Sequence, residues 1–429
     1  MSRYLAVALP DFGHLLPMLS VVSELRLRGH EVVVVTVRDR ADVVRDWGCE
    51  LELLAPEQLP DGWLREVDAA RAGLSGDALN RCSLEQFTEV MTRAVLADLP
   101  RVVAEWAPDA VVVDPYCYGA ASVAEAAGVR AVGVEGALAP ELVPGLADPF
   151  APWDRQERGP SWLRRLTTSF LGRGRDRAMR CVLAELNDWR AWRELPAIAS
   201  VFEECARLER LRPQPRSFEP PGYRDDPLVQ HCGAFVSSQR PAQDGFPWDQ
   251  LDERPIAYAS LGTIAAERPD VFRAVAESCA AHSLRLVIGL GGHADALREL
   301  RLPGDPLIAR WAPQLQLLER AAVCFTHAGL NTTLEALWHG VPLLAMPSAF
   351  DQPGVARRVQ LAGCGLVVPP EHASAAQLGD ALGRLLREPQ FAAAARRLRD
   401  EMRAAGGVAL AATRIERCDG SSAPALSDG

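Results

Sequence analysis

Lysine is absent from this sequence, so all 46 basic residues among its 429 residues are arginines. They are outnumbered by 56 aspartates and glutamates, which gives a formal net charge of −10. A chain with this balance has no overall attraction to nucleic acid or to an anionic membrane surface. We therefore expect no nucleic-acid partner.

Long apolar runs are also missing. No run is long enough to span a bilayer, and the apolar segment at residues 3–10 is too short for the core of a signal peptide. The ten cysteines occur singly, without a Cys-x-x-Cys pair, which argues against a structural zinc site and against a disulfide scaffold. These absences predict a protein of the reducing cytoplasm.

Apolar segments of strand length alternate with helical patterns along the first half of the chain. β-Branched or continuous apolar segments predict strands that are buried on both faces of a parallel sheet. The predicted strands are residues 4–9, 31–37, 51–54, 110–114 and 131–134, and the predicted helices are residues 15–28, 84–106 and 119–127. This alternation predicts a doubly wound α/β domain.

A second series of the same kind follows a stretch rich in proline, aspartate and glutamine. Its predicted strands are residues 256–261, 284–290, 307–310, 323–326, 343–346 and 365–368, and its predicted helices are residues 271–281, 331–338, 354–361 and 375–386. The length of the chain suits two such domains of about 200 residues each. We predict an N-terminal domain at residues 1–215, a linker at 216–254, a C-terminal domain at 255–418 and a disordered tail at 419–429.

Several polar residues of the second domain fall on strand-to-helix turns, where doubly wound sheets bind their ligands. Asn331 and Thr332 begin a predicted helix, whose free N–H groups and dipole favour an anion. His327 stands just before this helix and can donate to a phosphate oxygen, and Gly329 permits close approach of the backbone. Together these residues predict a site for a diphosphate.

Further side chains near this site suit a nucleoside and a sugar. Glu335 lies one turn further into the helix and can accept hydrogen bonds from a ribose diol. Trp311 offers a flat face to a base. Asp351 and Gln352 open the next loop and can bracket the hydroxyls of a sugar. The second domain is therefore predicted to bind a nucleotide sugar.

The stretch from residue 311 to residue 368 resembles the signature of the family 1-type glycosyltransferases, which include plant secondary-product glucosyltransferases and bacterial macrolide and carotenoid glycosyltransferases. The segments that carry the resemblance are Trp311-Ala312-Pro313-Gln314, His327-Ala328-Gly329-Leu330-Asn331-Thr332-Thr333-Leu334-Glu335 and Phe350-Asp351-Gln352-Pro353-Gly354-Val355-Ala356. The last of these is most similar to the bacterial carotenoid-type branch. In layout the resemblance covers the whole chain, and it implies the GT-B fold, in which two doubly wound, Rossmann-like domains face each other across a cleft.

The resemblance also implies a role for each residue of the donor site. Trp311 stacks on the base, and Glu335 holds the ribose. The pyrophosphate is held by His327, Asn331 and Thr332, and the sugar by Asp351 and Gln352. The other predicted donor-binding residues are Ala312, Gln314 and Gly329, with Ser260, Gly262 and Thr263 in a small-residue loop that faces the phosphates.

The donor site carries two further expectations. No Asp-x-Asp motif occurs in the sequence, and a diphosphate site at a helix start predicts an enzyme that needs neither a metal ion nor a cofactor. Because a deoxyribose offers Glu335 only one hydroxyl, we expect UDP-glucose as the donor in preference to dTDP-deoxysugars. The nucleotide sugar is then a co-substrate.

A catalytic base is expected in the first domain, because an alcohol is a poor nucleophile near neutral pH. His14 follows the first predicted strand and Asp114 ends the fourth, so both lie at carboxyl ends of strands and can meet in the cleft. An aspartate in this position fixes the tautomer of the histidine and stabilises its protonated form. The resembled family places its catalytic His and Asp in these two loops, and we infer direct displacement with inversion.

The acceptor site is less clearly marked. Asp11, Phe12 and Glu135 lie in predicted cleft-facing loops and are candidates for contact with the acceptor. The region from residue 135 to residue 216 holds aromatic residues that either pack helices or shape a hydrophobic pocket: Trp153, Trp162, Phe170, Trp189, Trp192 and Phe202. Residues 162–180 are rich in arginine, which is typical of a solvated face or of a weak membrane-surface contact.

These observations predict an O-glycosyltransferase that moves a hexose from a nucleotide donor to a hydroxyl of a hydrophobic small molecule, such as a polyketide, a carotenoid or another natural product. Two alternatives stay open: a sugar-nucleotide epimerase of the same fold, and a catalytically silent partner of another glycosyltransferase. The Asp351-Gln352 loop and the His14–Asp114 pair favour transfer.

Overall fold

The structure is a computed structural model, and it describes residues 1–74, 76–139, 153, 179–243, 245–262, 268–291 and 301–417. Four features of the sequence analysis lie outside the described residues. They are Thr263, the two aromatic residues Trp162 and Phe170, the arginine-rich segment up to residue 178 and the tail at 419–429.

Valine-rich strands form the centre of the first sheet, and most of their residues are buried. Strand β2, for example, has four consecutive valines, all of them buried. The seven strands are β1 (Arg3–Val7), β2 (Glu31–Thr36), β3 (Glu50–Leu53), β4 (Ala110–Val113), β5 (Arg130–Val134), β6 (Glu209–Arg212) and β7 (Val229–His231). They pair in parallel in the order β3-β2-β1-β4-β5-β6-β7.

The second sheet is built in the same way from six strands, all parallel, in the order β10-β9-β8-β11-β12-β13. These strands are β8 (Ile256–Ser260), β9 (Arg285–Gly289), β10 (Leu307–Ala309), β11 (Ala321–Thr326), β12 (Leu343–Ala345) and β13 (Gly365–Val367). Both sheets reverse strand order next to their first strand, and ligand sites lie at such points in doubly wound folds.

Helices connect most of the successive strands within each sheet, as is usual for parallel pairing. In the first half they are α1 (Phe12–Leu27), α2 (Ala41–Asp46), α3 (Trp63–Arg71), α4 (Gly76–Ser83), α5 (Glu89–Trp106), α6 (Ala120–Ala126), α7 (Arg180–Trp192) and α8 (Glu203–Ala206). In the second half they are α9 (Pro269–Ala281), α10 (Gln314–Arg320), α11 (Leu330–Trp338), α12 (Gln352–Ala362), α13 (Ala375–Arg387), α14 (Pro389–Ala405) and α15 (Gly407–Glu416).

All predicted strands and helices are confirmed, with ends that differ by a few residues. The helix predicted at residues 84–106 has an additional feature, because its first turn (Leu84–Thr88) is π-helical and continues α4 into α5. Among the described residues, no helix combines the length and the apolarity that a membrane crossing needs.

Strands β6 and β7 are absent from the prediction, and β7 falls within the predicted linker. Strand β6 has the sequence Glu-Arg-Leu-Arg, and three charged residues out of four suggest an exposed segment. In the structure Arg210 is 7% exposed and Arg212 only 1%, because both are paired with carboxylates. The linker therefore contains the last strand of the first sheet before the chain enters the second.

Helix α15 also differs from the domain boundaries expected from the sequence. It lies within the predicted C-terminal domain, yet it packs on α1 of the first domain. Ala411, Ala412 and Ile415 are buried in the same apolar core as Leu15. Arg28 Nη1 donates to an oxygen of Glu416 at 2.8 Å. The end of the described chain thus returns to the first domain.

A chain of buried ion pairs joins the two domains. Arg212, at the end of β6, donates through Nη2 to Glu135 at 3.0 Å and through Nη1 to Glu219 at 3.0 Å. Glu219 also accepts from Nη2 of Arg358 on α12 at 2.9 Å. Burial raises the pKa of Glu219, but the charges of Arg358 and Arg212 outweigh it and hold this pKa below its ordinary value. The carboxylate is therefore ionised within the protein.

Candidate active site

A cavity of about 450 Å³ lies between the carboxyl ends of the two sheets. It is lined by the following predicted site residues: Asp11, Phe12, His14, Ser260, Gly262, Trp311, Ala312, Gln314, His327, Gly329, Asn331, Thr332, Glu335, Asp351 and Gln352. The structure thus brings the predicted donor residues and the predicted base to one cavity. Their individual roles stay predictions.

His14 and Asp114 meet as the sequence predicts. His14 lies in the first turn of α1, and Asp114 directly follows β4 and is 1% exposed. The distance from His14 Nδ1 to Asp114 Oδ2 is 2.8 Å, and the other carboxylate oxygen accepts from the N–H of Tyr116 at 2.9 Å. With Nδ1 bonded to Asp114, the Nε2 atom of His14 is the one that can serve a ligand.

The environment of His14 favours its protonated form. Burial by itself lowers the pKa of the imidazole, but Asp114, through its charge and its hydrogen bond, opposes this effect. The charges of Asp11 and Asp351 add to that of Asp114, and together they raise the pKa of His14 to about 9. His14 is thus a proton acceptor only in the minority of molecules that have lost this proton near neutral pH.

Asp11 and Phe12, the candidate acceptor contacts, both line the cavity, but Phe12 faces the donor side. Its ring packs edge-on against Trp311 at a centroid distance of 5.1 Å. Trp311 itself is 42% exposed, so a face of the indole remains accessible to a base. The guanidinium of Arg40 lies 4.3 Å from the ring of Phe12. Phe12 therefore positions the predicted base-stacking residue.

His327 follows β11 and is enclosed by two glycines. A Cβ atom on Gly329 would lie 2.3 Å from Nε2 of His327, and one on Gly262 would lie 2.7 Å from its Cε1, so larger residues would displace the ring. Nδ1 lies 3.4 Å from the carbonyl oxygen of Ser260, which can only accept. Burial lowers the pKa of His327 to about 4, against a small opposing effect of Ser260. The ring is therefore neutral near pH 7.

The start of α11 presents the predicted anion site. This helix has nine residues, and its first three, Leu330, Asn331 and Thr332, line the cavity. The side-chain amide of Asn331 donates to the carbonyl oxygen of Gly13, in the turn that precedes His14. Asn331 thus also links the donor domain to the first turn of α1, which carries the predicted base.

Glu335 does not stand alone in the cavity. Arg240 Nη1 donates to one oxygen of its carboxylate at 2.7 Å, and the side-chain amide of Gln314 donates to the other. Gln314 in turn accepts from the hydroxyl of Tyr258 at 2.9 Å. Each carboxylate oxygen can accept a second hydrogen bond, so Glu335 can still receive a ribose hydroxyl.

Asp351 and Gln352 are held at the start of α12 by backbone contacts. Asp351 Oδ2 accepts from the N–H of Leu138 in the first domain at 2.9 Å. Gln352 Oε1 accepts from the N–H groups of Ser348 and Ala349 at 2.9 and 3.0 Å. The second carboxylate oxygen of Asp351 and the NH₂ group of Gln352 are the atoms that suit hydroxyl groups of a sugar.

The prediction of an acceptor contact for Glu135 is wrong. Glu135 is 2% exposed and lines no part of the described cavity. Its carboxylate is instead bonded by Arg212, with Arg210 at 3.9 Å. Its position after β5 suggested the cleft, but the two arginines on the neighbouring strand draw the side chain into the protein.

The described aromatic residues of the acceptor region divide between core and cavity. Trp153 and Trp189 pack in apolar clusters, and Trp192 is 69% exposed. Phe202 lines the cavity, beside Tyr118 at a centroid distance of 6.4 Å. Among the four described aromatics of that set, Phe202 alone lines the cavity, and its contact with an acceptor stays a prediction.

Three arginines of the cavity wall are missing from the predicted site residues, and two of them, Arg240 and Arg71, pair with carboxylates of the cavity. Arg240 comes from the predicted linker, and Arg71 ends α3. Neither belongs to a recognisable motif, and their partners Glu335 and Asp11 are far away in the sequence. The one available signal was that the predicted site residues include several carboxylates, because carboxylates in a cavity need cationic partners.

The chain matches known proteins over its full length. Residues 284–415 match the family described as erythromycin biosynthesis protein CIII-like, C-terminal domain. The sequence is 26% identical to zeaxanthin glucosyltransferase from Pantoea ananas, over 100% of this chain and 98% of that protein. It is 28% identical to 4'-demethylrebeccamycin synthase from Lentzea aerocolonigenes, over 97% and 99%.

The chain is a glycosyltransferase, and these similarities support family 1 within that enzyme class. The solved structure of the glycosyltransferase of kitacinnamycin is similar to this glycosyltransferase with a TM-score of 0.75 and 24% identity, over 97% of this chain and 98% of that one. The GT-B fold expected from the resemblance is thereby confirmed. The alternatives of an epimerase and of a silent partner give way to the transferase.

We predict that kcat/KM of this glycosyltransferase rises with pH through the pKa of His14. A base with a pKa of about 9 is mostly protonated below that pH, so the rate increases about tenfold per pH unit until His14 is neutral. Asp11→Asn removes one of the charges that raise this pKa and shifts the rise to lower pH. The measurement is kcat/KM for a fixed donor and acceptor over a series of buffers.

Asp42→Asn serves as the control for this series, because Asp42 is an exposed carboxylate paired with Arg45. Its profile is expected to match that of the native enzyme. A profile that is flat between about pH 7 and 9, or one that Asp11→Asn leaves in place, would show that His14 is not the group whose ionisation limits the rate.

Proposed function

We propose that this glycosyltransferase moves a hexose from a nucleotide sugar to a hydroxyl of a hydrophobic natural product. The preferred hexose is glucose, and the preferred donor is UDP-glucose. The transfer proceeds with inversion at the anomeric carbon and without a metal ion. One observation carries the proposal: His14, which is hydrogen-bonded to Asp114, lines the same cavity as the predicted donor residues. A screen of donors against acceptors, with products detected by mass spectrometry, tests it.

The geometry suits a direct displacement. Nε2 of His14 takes the proton of the acceptor hydroxyl while its oxygen bonds to the anomeric carbon. The bond from that carbon to the diphosphate breaks, and the electron pair leaves with the nucleoside diphosphate. Asp114 stabilises the imidazolium that forms and holds the ring by the bond at Nδ1. A positioned base of this kind contributes roughly 100-fold to 10,000-fold in rate.

The site at α11 supports a metal-independent departure of the diphosphate. Free N–H groups at the start of a helix and its dipole stabilise negative charge. Thr332 and Asn331 add polar groups at the same wall. Preorganised donors of this kind can take the place of a divalent cation in stabilising the developing charge.

The acceptor class rests on the cavity and on the relatives. Phe87, Met91, Phe202 and Leu84 line the part of the cavity that belongs to the first domain, and these side chains suit an apolar molecule. The names of the two relatives above refer to a carotenoid and to a rebeccamycin-type product. A hydrophobic natural product is therefore the acceptor that we propose.

We predict that His14→Ala abolishes transfer and leaves donor binding intact. The base belongs to the first domain, whereas the groups proposed to hold the nucleotide belong to the second. Turnover is measured by mass spectrometry and the affinity for UDP-glucose by calorimetry. His372→Ala, at an exposed position away from the cavity, is the control. Near-normal turnover by His14→Ala would mean that the base lies elsewhere.

Transfer is also predicted to survive removal of divalent cations. The enzyme is treated with EDTA, passed through a desalting column and assayed with and without added Mg²⁺ or Mn²⁺. Equal rates are expected, because the amides of α11 supply the charge stabilisation. A strong loss on chelation that added metal restores would contradict the proposed diphosphate site.

The donor preference gives a further prediction: UDP-glucose is used more efficiently than dTDP-glucose, and dTDP-glucose more efficiently than a dTDP-deoxysugar. Each hydroxyl that is missing from the donor leaves a polar group of Glu335, Asp351 or Gln352 with one partner fewer. Such a loss costs roughly 1–3 kcal/mol, which corresponds to a factor between a few-fold and about a hundredfold. The ratios of kcat/KM for the three donors measure it.

Glu335→Gln separates the two parts of this preference. It is expected to reduce the ratio for the two nucleotides while the ratio for the two sugars stays close to the native value. If the native enzyme prefers the dTDP-deoxysugar, the roles of Glu335 and of the Asp351–Gln352 pair are both wrong. If it fails to distinguish the nucleotides only, Glu335 alone is misassigned.

A further inference from the structure

One wall on the acceptor side of the cavity carries polar side chains among its apolar ones. It is formed where α3 ends and where α4 passes through a π-helical turn into α5. Arg71, Ser83, Thr88 and Thr92 are among the lining residues here, interspersed with the apolar residues Leu84, Phe87 and Met91. We call the first four the polar wall. None of the roles proposed above uses them.

Arg71 is a buried cation whose donors are incompletely used. Its side chain is 3% exposed, and its Nη1 lies 3.6 Å from Asp11 and 3.7 Å from Asp68. These distances give attraction between charges but exceed those of hydrogen bonds. Within the part of the chain that the structure describes, Nε and Nη1 have no hydrogen-bond acceptor. Buried donors without an acceptor are rare because they cost free energy.

The guanidinium of Arg71 is also fixed in place. It lies 4.7 Å from the centroid of the Phe87 ring, and that ring stacks on Trp63 at 5.6 Å. Two carboxylates and an aromatic face thus restrict its movement. A preorganised cation of this kind loses little entropy when an oxygen atom binds to it.

Ser83 adds a second unused polar group to the lining of the cavity. It is 7% exposed, and within the described chain its hydroxyl has no hydrogen-bond partner. It stands directly before the π-helical turn Leu84–Thr88, in which the hydroxyl of Thr88 donates to the carbonyl of Ser83 at 3.4 Å. Turns of this type inside longer helices occur frequently at functional sites.

Asp11 connects the polar wall with the predicted base. It pairs with Arg71 across 3.6 Å, and it stands three residues before His14 at the start of α1. An acceptor whose reacting hydroxyl meets His14 therefore has the polar wall close to its other substituents. A hydrocarbon placed there would leave the donors of Arg71 and Ser83 without partners.

We propose that Arg71 and Ser83 bind a carbonyl or carboxylate oxygen of the acceptor, which this enzyme therefore requires in addition to the reacting hydroxyl. The inference rests on the proposed transferase function and narrows its acceptor class. It favours oxygenated aromatic or polyketide-like aglycones. It disfavours carotenoid diols, whose polar groups are hydroxyls at the ends of a hydrocarbon.

Binding of three matched naphthols tests the proposal without requiring turnover. The probes are 2-naphthol, methyl 3-hydroxy-2-naphthoate and 3-hydroxy-2-naphthoate, and the dissociation constants are measured by calorimetry in the presence of UDP. The ester and the carboxylate are expected to bind about tenfold to a hundredfold more tightly than 2-naphthol. If the carboxylate binds more tightly than the ester, the negative charge contributes to binding. If the ester and the carboxylate bind equally tightly, and both more tightly than 2-naphthol, the carbonyl oxygen suffices.

Variants of the polar wall give the second part of the test. Arg71→Met is expected to bring the affinities for the three naphthols to within about threefold of each other, and Ser83→Ala to reduce the preference in part. Arg93→Met, which removes an exposed arginine of α5, is the matched control and keeps the native ratios. Thermal melting verifies that each variant folds. If Arg71→Met does not fold, the native ratios and Ser83→Ala decide.

Equal affinities of the native enzyme for all three probes would overturn the proposal, as would a preference that both variants retain. The transferase function is separable from it. A screen that yields products only from acceptors without a carbonyl or carboxylate also overturns the polar subsite but leaves the transferase in place. A screen that yields no glycosylated product at all contradicts the proposed function itself.

Discussion

The buried ion pairs around Arg212 set the geometry on which the cavity depends. Arg212 holds Glu135 after β5 and Glu219 in the crossing segment, and Glu219 holds Arg358 on α12. The first turn of α12 is where Asp351 reaches the cavity. Removing one member of a buried pair leaves an uncompensated charge and costs about 3–5 kcal/mol. The carboxyl ends of the two sheets are therefore tied together by charge as well as by apolar packing.

Contacts between the domains are also found inside the cavity, where several residues that are proposed to bind ligands contact the other domain as well. Asp351 accepts from Leu138, Asn331 donates to Gly13, and Phe12 packs against Trp311. Each contact places a donor-site residue next to the loops of the first domain. Transfer requires the acceptor oxygen to reach the anomeric carbon. The rate of transfer therefore depends on the distance between the two domains. These contacts hold that distance short.

The fold was predictable from the sequence wherever local pattern and final environment agree. Valine-rich segments such as β2 form buried parallel strands because helices cover both faces. Strand β6 escaped prediction because its arginines are buried by carboxylates that come from elsewhere in the chain. The prediction for Glu135 failed because of a distant partner as well. Its position after a strand indicates the cleft, but the local sequence does not show that Arg212, 77 residues away, binds its carboxylate.

The two histidines of the cavity differ in protonation state because their surroundings differ. Three carboxylates surround His14 and raise its pKa to about 9, whereas burial beside the carbonyl of Ser260 lowers that of His327 to about 4. With a hydrogen on Nδ1, a neutral His327 presents the lone pair of Nε2. Donation from that atom to a phosphate oxygen, which the motif predicts, then requires a proton that burial disfavours. In the proposed complex the negative charge of the diphosphate is met chiefly by the N–H groups and dipole of α11, whereas His14 acts as the base.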